Sequence, residues 1–92
     1  MPISKDEYEA GLDPKAREIL EFLRANPSDK GYTVMEIYAG TYSEGEKSAH
    51  LRGSGGVREV FKEIQRWLDE FREQGYVKFK IVSATPFYSA SE

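Results

Sequence analysis

The chain has no cysteine and only one histidine and one tryptophan in 92 residues. Without thiols there is no disulfide framework, no thiolate zinc site and no cysteine nucleophile, an absence that suits a cytoplasmic protein. A lone histidine and no convergent acid–base cluster leave an enzyme little to work with, so neither catalysis nor a cofactor is expected. No apolar run approaches the roughly 18 residues that span a membrane, and the opening MPISKDEYEA is acidic with no apolar leader core. The expectation is a soluble, cytoplasmic chain with no membrane contact. Cations are also in the minority, 13 Lys/Arg against 16 Asp/Glu for a net charge of −3. Phosphate neutralisation needs cations, so this balance works mildly against nonspecific nucleic-acid affinity. The charge is unevenly spread, however. Residues 1–46 carry five Lys/Arg against ten Asp/Glu, and residues 47–92 carry eight against six.

The basic half contains the cleanest periodic signal, residues 57–74, VREVFKEIQRWLDEFREQ. Val57, Val60, Phe61, Ile64, Trp67, Leu68 and Phe71 fall within roughly a third of the circumference at helical spacing. The pattern predicts an amphipathic helix with a wide buried face, and Gly75 stands at its C′ position. The opposite face presents Arg58, Lys62 and Arg66 at i, i+4 and i+8. Upstream, Asp13-Pro14 is a helix start, and Ala16, Ile19, Leu20 and Leu23 form a stripe that Asn26-Pro27 stops. Thr33 and Glu36 form a capping box for a short helix that Gly40 is expected to end. Ser4 and Glu7 offer a weaker box for a short N-terminal helix ending at Gly11, in an extension spanning 1–12 that reads equally well as a frayed terminus. Residues 41–56, TYSEGEKSAHLRGSGG, are polar, rich in Gly and Ser and without periodicity, and read as a long inserted loop. Tyr76 to Val82 alternate, with Val77, Phe79 and Ile81 to one side and Tyr76, Lys78 and Lys80 to the other, which predicts a half-buried strand. A turn over Ser83–Pro86 then leads to a returning strand at Phe87–Ser89, with residues 90–92 frayed. The length supports one domain over 1–92, with a modest core supplied mainly by aromatics.

The segments AREILEFLRANP, TVMEIYAG and VREVFKEIQRWLDEFREQGYVKFKIV, in this order, resemble the winged-helix variant of the helix-turn-helix superfamily over roughly residues 14–89. The resemblance implies an α+β, mainly α fold: a three-helix bundle followed by a C-terminal β-hairpin wing. It departs from the usual unit in the 16 residues of the 41–56 insertion, where a turn of about 3–4 residues is the rule.

The resemblance also implies double-stranded DNA as partner, a role in transcription regulation, and pairing of two copies. In such proteins the helix equivalent to 57–74 enters the major groove, so Arg58, Lys62 and Arg66 are candidate duplex contacts. Lys78 and Lys80 are candidate phosphate contacts on the wing. Each has a plainer reading. Glu59, Glu63 and Glu70 stand three or four residues from the helix cations and can pair with them on a solvated face, while Glu59 and Glu63 would repel phosphate. Lysines on an edge strand also discourage strand pairing between molecules. Arg52, with the glycines 53, 55 and 56 leading into the helix, is a candidate anion contact, against the plainer and favoured reading of a flexible connection. Glu44, Glu46 and His50 are the one grouping that could be asked to hold a metal, and no metal is expected there. Tyr42, Phe87 and Tyr88 either form a dimer surface or pack over the open end of the core. The alternative function is a winged-helix protein-interaction module without DNA binding, with the 41–56 loop as the partner-binding element.

Overall fold

Helix caps written in the sequence set the frame of the computed structural model, which describes residues 5–53 and 55–91. After a short helix α1, Lys5–Ala10, the Asp13 carboxylate accepts from the Lys15 N–H at 3.0 Å, and α2 runs Pro14–Ala25. Ser4, expected to cap α1, lies outside the described residues. Helix α3, Val34–Thr41, starts with the expected capping box. The Thr33 hydroxyl accepts from Glu36 N–H and the Glu36 carboxylate accepts from Thr33 N–H. Gly40 does not end α3; it lies inside the helix, under the ring of Phe22 from α2.

The long helix is α5, Gly56–Glu73, close to the expected bounds. Its C-terminus is a Schellman closure. Gly75 takes φ +82°, Tyr76 N–H reaches Phe71 O at 2.9 Å and Gly75 N–H reaches Arg72 O at 3.1 Å. The core gathers Ala16, Ile19, Leu20 and Leu23 from α2, Ile37 and Tyr38 from α3, and Ile64, Trp67, Leu68 and Phe71 from α5. Each of the fully buried aliphatic side chains contributes about 1.5–3 kcal/mol relative to exposure.

Three expectations need correction. The 41–56 segment is not a loop: helix α4, Glu44–Arg52, occupies most of it. A second capping box starts it, Ser43 with Glu46, at 2.9 and 3.1 Å. None of its residues is buried, so it has no apolar stripe for periodicity to find. The hairpin is the second correction. Strands β1, Val77–Val82, and β2, Thr85–Ala90, pair antiparallel with Lys78 opposite Ser89 and Lys80 opposite Phe87. Only Ser83 and Ala84 make the turn, both at positive φ (52° and 66°), so Thr85 and Pro86 belong to β2. Of the expected inner face of β1 only Val77 is buried, and Ile81 is 64 % exposed. Third, the chain end does not fray at residue 90. Ala90 is buried in β2, and Ser91 N–H reaches Tyr76 O at 2.9 Å.

An isolated bridge adds a third short partner to the sheet. Tyr32 and Tyr88 exchange both backbone hydrogen bonds at 2.7 Å, tying the α2–α3 connection to β2. The result is an α+β, mainly helical architecture with a C-terminal antiparallel hairpin, compatible with a winged-helix-like layout. No helix of the described residues is long and apolar enough to cross a membrane.

Candidate nucleic-acid interface

Burying one face of α5 against α2 and α3 turns its other face outward. Arg58, Lys62 and Arg66 are all exposed there, spread over about 12 Å of helix at the standard rise. Lys62 and Arg66 have acids of the same helix as partners. Lys62 Nζ lies 3.6 Å from Glu59 Oε1, and an Arg66 guanidinium nitrogen lies 3.6 Å from Glu63 Oε1. Exposed pairs at this separation are worth little and exchange readily for another anion. Glu70, a suggested partner for Arg66, instead accepts a 2.8 Å hydrogen bond from the Tyr8 hydroxyl, which ties α1 to α5. Burial first, and then that carboxylate, pushes the Tyr8 phenol well above its ordinary pKa.

Two depressions follow the row. One, of about 490 Å³, is walled by Val34, Val57 and Phe61 with Arg58 and Lys62 at its rim. The other, of about 760 Å³, continues past Arg66 to Asp69, Glu70 and Glu73. Both include Lys62 and Gln65, so together they form one trough, apolar and basic near the start of α5 and acidic near its end. Gln65 also fixes the hairpin by donating to the Tyr88 hydroxyl. Arg72 leaves the row altogether, its guanidinium stacked 3.8 Å from the centre of the Phe79 ring.

The structure does not gather the six candidate cations into one surface. Phe79 and Tyr88 face α5, and alternation along the strands then puts Lys78 and Lys80 on the opposite face of the hairpin. There Lys80 Nζ donates to the Asp29 carbonyl at 2.8 Å. Lys30, which sequence reasoning missed, stands 5.3 Å over the Phe87 ring on this side. Nothing local in the sequence flags Lys30, because only the Tyr32–Tyr88 bridge brings its turn to the hairpin. Arg52 is exposed in the last turn of α4. The glycine-rich lead into α5 is partly occupied by its own chain, since Gly56 N–H bonds to Gly53 O at 3.2 Å; Ser54 lies outside the described residues.

The three residues considered for a metal go separate ways. Glu44 pairs with Lys47 at 3.0 Å. Glu46 closes the cap of α4 and meets Lys15 at 3.3 Å, and the Ser43 backbone N–H, then Lys15, hold its carboxyl below the ordinary range. His50 Nδ1 and the Tyr38 hydroxyl form a 3.0 Å hydrogen bond. Among the described residues no group of three or more His, Asp or Glu is placed to hold a metal ion. The unsettled aromatics divide: Tyr88 is buried in the core and Tyr42 is half-buried against Tyr38 and His50, whereas Phe87 lies half-buried beneath Lys30 on the outer face of the hairpin. Comparison with protein-family models, with curated proteins and with solved structures finds no match.

Proposed function

We propose that the chain binds double-stranded DNA through the outward face of α5 and acts as a small transcriptional regulator of winged-helix type. The observation that carries this reading is the row of Arg58, Lys62 and Arg66, three exposed cations on one helix face, of which Lys62 and Arg66 make weak surface pairs with Glu59 and Glu63. A helix of about 10–12 Å diameter fits a major groove about 12 Å wide. Arg58, nearest the helix start, can bond a guanine edge at two points, and Lys62 and Arg66 can meet phosphate or guanine acceptors. Glu59 and Glu63 limit the affinity of one copy, so two copies would be needed for tight binding. Lys78 and Lys80 would reach phosphate only on a duplex that extends around the hairpin, so the reading rests on α5.

The second reading, a protein-interaction module, is favoured by one observation. The trough beside Arg58 has apolar walls of Val34, Val57 and Phe61, and the neighbouring Met35 is 65 % exposed. Helix α4 would extend that partner surface. Arg58→Ala combined with Lys62→Ala separates the two. Measured by fluorescence anisotropy at low salt, the DNA reading expects duplex affinity to fall at least about tenfold, from two lost charge-assisted contacts. Unchanged affinity would remove α5 as the reading surface and leave the interaction module as the better account.

A further inference from the structure

The face of the hairpin turned away from α5 carries a feature that duplex reading does not use. Lys30, Lys78 and Lys80 line one pocket of about 220 Å³ together with Asp29, Phe87 and Ser89. The register explains half of this assembly: Lys78 stands opposite Ser89 and Lys80 opposite Phe87, so all four share one face. The 28–31 turn supplies the rest. Gly31, at φ +85°, passes so close to β2 that an added Cβ would lie 3.0 Å from Tyr88 O, and this contact sets Asp29 and Lys30 over the strands.

We propose that this pocket binds a small phosphomonoester, with its phosphate among the three lysines and its organic part against Phe87. Three ammonium groups against the single Asp29 carboxylate leave a local excess of two positive charges, which matches a phosphate dianion. Lys80 is already steadied by its 2.8 Å bond to Asp29 O, and two of its three N–H donors remain for a ligand. Ser89 adds a neutral donor: the residue is 9 % exposed and lines the pocket, and since no buried side-chain polar atom among the described residues lacks a partner, its hydroxyl keeps contact with solvent. A solvent-accessible hydroxyl on the wall of a lysine-lined pocket is a donor free to turn toward an oxyanion.

The test uses the 15N-labelled full chain, titrated with inorganic phosphate and with phenyl phosphate at constant ionic strength and followed by NMR. The expected result is a saturable shift of the Lys30, Phe87 and Ser89 amides, with phenyl phosphate binding more tightly than phosphate. Lys30→Ala and Lys78→Ala should each weaken binding about tenfold while leaving amide shifts elsewhere in place. Shifts that grow linearly without saturation, or that chloride reproduces, would overturn the proposal. So would phenyl phosphate binding no tighter than phosphate, or binding indifferent to both lysine variants. A duplex titration distinguishes the source of the phosphate. If DNA moves the same amides and Lys30→Ala weakens it as much as Arg58→Ala does, the pocket serves backbone phosphate and the free-ligand assignment fails. The phosphate titrations contain no DNA, so their outcome does not depend on the role of α5.

Discussion

At the scale of the residue, two positions have consequences that can be measured directly. Gly40 sits within α3, where alanine would ordinarily improve a helix by about 1 kcal/mol. Here an added Cβ would lie 2.5 Å from Phe22 Cε2 and 2.8 Å from its Cζ. Gly40→Ala should therefore destabilise by about 1–3 kcal/mol in urea unfolding, as overpacking does. A more stable variant would mean that the α2–α3 contact is loose. Tyr42 is the second case. Burial, and then the carboxylates of Glu63, Glu46 and Asp13, push its phenol up to about 12, while Lys15 Nζ sits 4.3 Å over the ring. The folded state thus prefers the neutral phenol. That contribution is fully present below the ordinary phenol pKa near 10, and it is lost as pH rises from there through about 12. Tyr8 is shifted in the same direction, so the wild-type chain should lose stability across this window from both groups. Tyr42→Phe keeps the ring and removes one titration. Its stability should fall less between pH 8 and pH 11 than that of the wild type; an equal fall would show that Tyr42 is not coupled to folding.

At the scale of the element, α4 is held without a buried core residue of its own. It is fastened by its cap, by Glu46 with Lys15, by Lys47 Nζ to Ala39 O at 3.5 Å, and by His50 with Tyr38. Ser43→Ala removes the cap acceptor at a cost of about 1 kcal/mol. Hydrogen exchange should then speed up at amides 46–51 and stay unchanged in α2 and α5, whereas uniform acceleration would show that α4 unfolds only with the whole. This helix also marks where the sequence was hard to read. Helices α2, α3 and α5 were legible because each combines a stop or start signal with an apolar stripe, as in Asp13-Pro14 or Val57–Phe71. In α4 the Ser43–Glu46 box was available, with the same spacing as Thr33–Glu36, but no stripe followed it. The hairpin was legible as two strands, yet its turn was placed too wide because Ser83 and Ala84 adopt positive φ without glycine or asparagine. Gly40 read as a helix end because local sequence cannot show the ring of Phe22. The α5 row was visible from periodicity alone, whereas the pocket with Lys30 depends on a bridge between distant backbones.

At the scale of the whole molecule, charge is arranged by face rather than by total. The chain is acidic overall, and α5 itself carries four basic and five acidic residues. Yet Arg58, Lys62 and Arg66 share the first part of its outward face, and Asp69, Glu70 and Glu73 take the second. In the proposed docking a duplex at the start of α5 would meet these cations together with Glu59 and Glu63, and one displaced toward its end would meet carboxylates alone. With Arg58 on a guanine edge and Lys62 and Arg66 on phosphate, the proposed docking gives an expected slope of log affinity against log salt of about −2 per chain, at about 0.9 per contact. The measurement that tests this most directly is anisotropy of a labelled random duplex titrated at several salt concentrations, with the wild-type chain and with Arg58→Ala/Lys62→Ala. The account predicts a linear decline for the wild type, and a slope shallower by about one unit for the variant, with weaker affinity throughout. Absence of binding at about 50 mM salt and high micromolar protein, or a slope that the two substitutions leave unchanged, would contradict it.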